Sequence, residues 1–278
     1  VSGPEVPTNT ARIVTERPLL KALLSRDPIT CAYMLGDLDE AYSEFCTWYG
    51  ADGEDGLDGV LLAYDALSVP VLITYGQSSA LDAIIRRFWH ELPGRALVHL
   101  QPHHVAAVDQ VFGAEALIPM LRMGLDARDF RPSTADALPV EQLSHRQTGE
   151  IIELYAHYPD NFFEPAQLDS GHYYGIRVDD RLVSVAGVHV LSHEASVATL
   201  GNIVTHPDFR GRGLSTACTS QLCTRLIAEG VHTLALNVKR QNRSAVRVYE
   251  KLGFRYHATY LEGLVVRSGE APNGAERP

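Results

Sequence analysis

Cysteine is scarce in this chain. Four residues in 278 (Cys31, Cys46, Cys218 and Cys223), with no CxxC pair among them, supply neither a disulfide framework nor a zinc ligand set and read as small apolar core residues. The histidines do not repair the deficit: His189 with His193, and His99 with His103 and His104, complete no ligand set at a familiar spacing, so no metal is expected. Positive charge is short too. With 24 basic against 34 acidic residues, a net of −10, the chain is a poor generic partner for nucleic acid or an anionic membrane. Long apolar runs are missing: the most apolar stretch, 60–75, is broken by Asp65 and Pro70 and is too short to span a bilayer as a helix. The first ten residues, VSGPEVPTNT, have neither the charged start nor the apolar run of a secretory signal, so the cytoplasm is the expected compartment. Neither GxGxxG nor a Walker GK[ST] follows any predicted strand, which removes the common dinucleotide and P-loop readings.

What is present is globular. Hydrophobic residues make up 45% and charged residues 21%, which suits packed cores, and 278 residues fit two modules at about 150 residues each. Helical spacing over 16–49 (Leu19, Leu20, Leu23, Leu24, then Ala32, Met34, Leu35, Leu38) predicts two helices, with Pro28 starting the second. After the Gly- and Asp-rich 51–59, the pattern predicts strands at 60–64 and 69–75, a helix at 79–91, a strand at 96–100, a helix at 103–112 and a strand at 116–125. The mixture of Pro, small and charged residues over 126–142 reads as a connection. Beyond it come a helix at 145–157, a turn at 164–169, strands at 173–178, 182–191 and 197–204, a helix at 214–229, a strand at 233–238, a helix at 242–252, and strands at 254–257 and 260–266. This gives an α/β fold of two modules, 1–130 and 131–267, with a flexible tail at 268–278. Both share the order strand, strand, helix, strand, helix, strand, which suggests an internal duplication.

The chemistry concentrates in GNIVTHPDFRGRGLSTACTSQL (201–222). A strand leads through a Pro turn into an Arg/Gly loop that opens a helix. Gly211 and Gly213 let backbone approach a ligand, and the first amides of the helix are free donors at its positive end, a cradle for pyrophosphate. Arg210 and Arg212 add charge. Further on, Asn242 is the expected cap of a helix that carries Tyr249 seven residues later, close to two turns away and so on the same face. Between residues 205 and 255 there are nine Lys or Arg against three Asp or Glu, a basic island in an acidic chain of the kind an anionic ligand needs. Solvated helix faces are the alternative explanation for it.

RGRGLS followed by NRSAVRVYEKLGF resembles the GNAT superfamily of acetyl-CoA-dependent N-acetyltransferases, whose loop reads [QR]xxGx[GA]; the likeness covers 140–266. Ser215 departs from the small residue at the sixth loop position and leaves less room there. The resemblance implies two GNAT-like modules in tandem, each a mixed sheet flanked by helices, the second of them catalytic. It implies that the backbone of Ile203, Val204 and Thr205 pairs with the pantetheine arm of acetyl-CoA, that Gly211, Arg212, Gly213, Leu214, Ser215 and Thr216 with Arg210 hold the pyrophosphate, that an amide near Val204 polarises the thioester and that Asn242 contacts the cofactor. Tyr249 would protonate the departing thiolate while an amine attacks directly, without an acyl-enzyme. The implied partner is an amine-bearing acceptor, not nucleic acid or a membrane, for a monomer or homodimer.

No general base is assigned. VATLGNIVT (197–205) has no carboxylate, and Asn202 stands where a polar group would face the substrate. Glu194, His189, His193 and His206 are nearby, and proton loss through ordered water fits equally well. In the first module GQSSA (76–80) replaces the Arg/Gly loop, and Val111 or Phe112 stands where the tyrosine would be. It reads as a degenerate copy that shapes the acceptor cleft or supports the catalytic half. The acidic stretch 36–58, with eight Asp or Glu and no Lys or Arg, reads as a solvated loop or as an attractor for a cationic amine. A regulatory protein that binds acyl-CoA without transferring the acyl group is the competing function; the Tyr249 hydroxyl, which a binder does not need, favours the enzyme.

Overall fold

The computed structural model describes residues 10–114, 116–133, 139–159, 161 and 163–268; the expected tail from 269 onward lies outside them. The chain divides into two compact units, 1–120 with 259–278, and 121–258. No helix of the described residues is long and apolar enough to cross a membrane.

In the first unit, β1 (Ala11–Ile13), α1 (Arg17–Leu24) and a five-residue α2 (Ala32–Gly36) precede a hairpin of β2 (Cys46–Gly53) and β3 (Gly56–Tyr64). β4 (Val71–Gly76), α3 (Ser78–Phe88) and β5 (Arg95–Leu100) follow, then α4 (Val105–Val108) and β6 (Phe112–Ala114). β7 (Ile118–Asp126) runs from this half of the sequence into the second unit, which continues with β8 (Val140–Leu143), α5 (Thr148–Tyr155), β9 (Tyr173–Val178), β10 (Arg181–Ser192) and β11 (Val197–Thr205). α6 (Leu214–Ala228), β12 (Thr233–Lys239), α7 (Arg243–Lys251) and β13 (Arg255–Arg267) complete the chain.

Both units repeat one design. An antiparallel hairpin leads to a strand that crosses over through a helix to a parallel neighbour: β2, β3, β4, α3, β5 in the first, and β9, β10, β11, α6, β12 in the second. The strand order is β1-β2-β3-β4-β5-β13 in one and β7-β12-β11-β10-β9-β8 in the other. The fold is therefore the mixed α/β duplication read from the sequence, but the units are not cut at residue 130. The first takes its last strand from the chain's end, with Leu261 to Val266 of β13 paired to Leu100 through Arg95 of β5. The second takes residues 121–126 of β7 from the chain's first half.

Several elements differ from the sequence expectation. The acidic 36–58 is not one loop: it holds a 3-10 turn at Glu40–Phe45, then β2 and the start of β3, with Trp48 and Tyr49 buried and Asp52 paired with Arg12. The short Gly-containing strand is masked in the sequence by the acidic residues that flank it, β2 itself carrying only Asp52. The 103–112 helix shrinks to a short turn, α4 and the start of β6. The two terminal strands are one continuous β13, and β1 and β8, at three and four residues, are too short to leave a period-2 signal.

Core formation follows the amphipathic pattern. α6 buries Leu214, Ala217, Cys218, Leu222, Cys223 and Leu226, each fully buried Leu contributing roughly 1.5–3 kcal/mol; Cys218 and Cys223 are core thiols as expected, and all four cysteines are free. In the first unit, α3 lays Leu81, Ile84, Ile85 and Phe88 against the sheet. A fragment of residues 1–130 lacks the strand that covers β5, so it is expected to show no cooperative thermal melt, while the full chain melts cooperatively; a fragment melting as sharply as the full chain would contradict the exchanged-strand assignment.

Candidate active site

The site of the second unit begins where two parallel strands part. β11 and β12 pair from Val197 with Thr233 to Leu200 with Leu236 and no further, although β11 continues to Thr205. A bulge coincides with the parting. Gly187 faces Gly201 and Val185 faces Val204 across β10, so Asn202 and Ile203 together oppose Ala186. Asn202 takes the left-handed φ of 52° that asparagine tolerates better than most residues. Past the bulge, the His206 N–H donates to Val183 O at 2.8 Å, so by the two-residue period Thr205 and Ile203 turn their backbone polar groups away from β10, toward the parted side. Tyr158 reaches that edge and donates its hydroxyl to the Thr205 carbonyl, while Arg210 Nη2 donates to Tyr158 Oη at 2.8 Å.

Beyond the strand, Gly211 and Gly213 have φ of 76° and 79°; a Cβ at either would meet nothing within 4 Å, but that backbone is strained for other residues. Gly213 caps α6, whose first residues, Leu214, Ser215 and Thr216, carry amides with no intrahelical partner. Arg210 and Arg212 are exposed here, Arg212 lying 4.9 Å from the Phe209 ring centroid. This concave, donor-rich turn can hold a phosphate group, and the free strand edge beside it can hold an extended amide-bearing chain.

Asn242 and Tyr249, at the cap and in the last turn of α7, differ in exposure. Asn242 is the exposed cap of α7, its Oδ1 accepting from Ala245 N at 3.2 Å and Ser244 Oγ at 2.9 Å, whereas Tyr249 is 6% exposed. Burial, with the Cys223 thiol nearby, pushes the Tyr249 phenol above its ordinary range, so it stays protonated at neutral pH. Of the nearby base candidates, His193 and Glu194 occupy the turn before β11, about 13 Å or more along the strand from the bulge at 3.3 Å per residue. His206 is buried, its Nε2 taking a hydrogen bond from Arg181 at 2.9 Å. The His189 ring lies where a Cβ on Gly201 would be.

Sequence reasoning missed Tyr155, Tyr158, Gln167 and Tyr173, which line the same region. Asn202 Nδ2 donates to Gln167 Oε1 at 2.8 Å and to Tyr173 Oη at 2.7 Å. Burial raises the Tyr173 and Tyr155 phenols as well. Gly187 was the available signal: the Tyr173 ring occupies the place of its missing Cβ, and a glycine inside a strand marks such a close approach.

The first unit shows the same parting, closed. β4 and β5 pair only from Val71 with Leu97 to Ile73 with His99. Past that point His104, fully buried, bonds Thr74 Oγ1 at 2.8 Å and Gly76 O at 3.0 Å, His103 Nε2 reaches Gly76 O at 3.1 Å, and Gln101 Oε1 accepts from Gly76 N at 3.3 Å. The edge open in β11 is filled in β4.

Residues 139–254 match the model of the acetyltransferase (GNAT) family. The chain is 40% identical over 79 residues to the [ribosomal protein bS18]-alanine N-acetyltransferase of Salmonella typhimurium, covering 28% of this chain and 51% of that protein. It is 39% identical over 71 residues to an acetyltransferase of Yersinia enterocolitica, covering 26% and 48%. The chain thus spans about half the length of these curated relatives. Among solved structures, a Drosophila protein is similar with a TM-score of 0.70 (13% identity, 93% of this chain and 98% of that one). A GCN5-related N-acetyltransferase from Sphaerobacter thermophilus reaches 0.59 (15% identity, 95% and 98%). A tandem GNAT protein from the clavulanic acid biosynthesis pathway reaches 0.58 (13% identity, 94% and 99%). At these identities the structures establish the fold alone.

Burial of His104 lowers its pKa from the usual 6.5 to about 4. The folded state therefore binds fewer protons than the unfolded one between these values, and stability present above pH 6.5 is lost as pH falls toward 4. Denaturant titrations are expected to show a loss on the order of 3 kcal/mol from this group, flattened in His104→Gln; equal pH slopes in both proteins would refute the assignment.

Proposed function

We propose, from the match of residues 139–254 to the model of the acetyltransferase (GNAT) family, that this chain is an acetyl-CoA-dependent N-acetyltransferase acting on a primary amine of a small molecule or protein. The observation that carries the reading is the parting of β11 from β12 beside a glycine-rich helix start. A pantetheine arm is an extended, amide-bearing chain that adds to the Ile203–Thr205 edge much as a peptide strand does, and a pyrophosphate suits the amides of 211–216. Arg210 and Arg212 neutralise charge at the same turn, and Asn242, whose Oδ1 is spent on its cap, has its Nδ2 for the cofactor.

In the proposed step the amine nitrogen attacks the thioester carbon in a ternary complex. A C–N bond forms, the C–S bond breaks, and the sulfur leaves with the electron pair. An amide near Val204 stabilises the developing oxyanion. Tyr249, held protonated by burial, gives its proton to the thiolate and recovers one from the ammonium product through water, so the products are amide and CoA thiol. The four free thiols suit a reducing cytoplasm as the site of this chemistry. The sealed edge of β4 predicts that the first unit takes no acyl-CoA.

The test is incubation of the full chain with acetyl-CoA and spermidine, kanamycin, L-lysine or an alanine-initiated peptide, with free thiol as readout. Turnover of at least one amine, reduced about 100-fold in Tyr249→Phe as is typical for loss of a general acid, is expected. Because the phenol is raised, kcat should not fall between pH 7 and its ordinary value of about 10. Calorimetry should give one acetyl-CoA per chain. Binding without turnover of any amine would replace the transferase by the regulatory reading, and two equivalents per chain would contradict the sealed first unit.

A further inference from the structure

Asn202 holds the one bulge residue of β11 with a left-handed φ, and its side chain is oriented by a chain of hydrogen bonds whose polarity is set by a backbone amide. The Glu164 N–H donates to Gln167 Oε1 at 3.1 Å, which identifies that atom as the oxygen. The same oxygen takes a second hydrogen bond, from Asn202 Nδ2 at 2.8 Å, so the asparagine must present its nitrogen to Gln167. Its other N–H goes to Tyr173 Oη at 2.7 Å. Both donors of Asn202 are thus consumed, and Oδ1 is turned the other way. Among the described residues Oδ1 receives no hydrogen bond, and the residue keeps 8% of its surface exposed.

The arrangement is built at some expense. Tyr173 reaches Asn202 only because position 187 is glycine; its ring atoms lie 2.4 Å from where a Cβ would sit, closer than any side chain allows. A positive φ at a non-glycine residue, a glycine kept clear for a ring, and a glutamine pinned by a backbone amide all converge on one oxygen. Resting on the transferase reading above, we infer that Asn202 Oδ1 is the hydrogen-bond acceptor that binds an N–H of the incoming amine and aims its lone pair at the thioester, with Gln167 and Tyr173 as positioning residues. An attacking primary amine has two N–H bonds and one lone pair. Fixing an N–H on a neutral oxygen beside the cofactor strand orients the lone pair without taking a proton, so Asn202 is a binding group and no base. The C–N bond formation and C–S cleavage are those given above, and the proton lost by the nitrogen passes through water to Tyr249.

The test compares Asn202→Gly, Gln167→Met and Gln167→Glu with the unaltered full chain. The probe is whichever of spermidine, kanamycin, L-lysine or the alanine-initiated peptide is turned over fastest. Glycine accepts the left-handed backbone, so Asn202→Gly keeps the bulge while removing Oδ1. Its kcat/KM for the amine is expected to fall about 30-fold, as for loss of one well-made hydrogen bond, with the acetyl-CoA Kd within about twofold. Gln167→Met removes the acceptor that pins Asn202 and should lower kcat/KM for the amine about tenfold, whereas Gln167→Glu, which keeps an oxygen there, should restore most of it. An amine kcat/KM unchanged in Asn202→Gly, or equal losses in the methionine and glutamate variants, would overturn the inference and leave the transferase reading standing. Absence of turnover of every amine by the unaltered chain would remove both together.

Discussion

Two parallel strands that begin as neighbours and then separate impose the constraint on which the second unit turns. β11 and β12 share hydrogen bonds only as far as Leu200 and Leu236. Beyond that, a backbone edge must find other partners, because an unpaired buried peptide group costs free energy comparable to a lost hydrogen bond. One carbonyl on it, that of Thr205, is taken by Tyr158; the remainder is an open invitation to an extended ligand. The bulge at Asn202 and the glycine-rich entry to α6 follow from the same geometry, since the chain must leave the sheet, turn, and begin a helix within a few residues.

The duplicated first unit serves as an internal control. It repeats the hairpin, the parallel crossover and the early end of strand pairing, yet fills the resulting edge with His103, His104 and Gln101. A fold alone therefore does not make a cofactor site; the difference lies in whether the side chains of the next segment satisfy the exposed backbone or leave it for a ligand. The exchange of terminal strands ties each unit to sequence from the other half of the chain, which explains why a duplication legible in the order of elements does not correspond to two separable fragments.

Much of this was legible in the sequence. Helices α3, α6 and α7 and the long strands announce themselves through period and caps, and the RGRGLS loop with its two glycines marks the turn into α6 directly. What escaped has physical causes. β2 was hidden because acidic residues flank it on both sides and its own Asp52 finds Arg12 as a partner, so a segment that read as a loop contains a strand. The exchanged strands were invisible because period shows that a segment is a strand and not which neighbour it joins. Tyr155, Tyr158, Gln167 and Tyr173 lie in segments without a motif, and only the glycine at 187, where the Tyr173 ring rests, recorded their arrangement locally. Asn242 and Tyr249 were correctly spaced for one helical face, but capping uses the asparagine oxygen and burial takes the tyrosine inside.

Amide hydrogen exchange on the full chain, with and without acetyl-CoA, addresses the account most directly. Cofactor seated on the parted strand predicts slowed exchange at Ile203 and Thr205 and at Gly211 to Thr216, with Thr74 to Ser78 of the first unit unchanged. Protection confined to the first unit, or no protection at residues 203 and 205 under saturating acetyl-CoA, would contradict it.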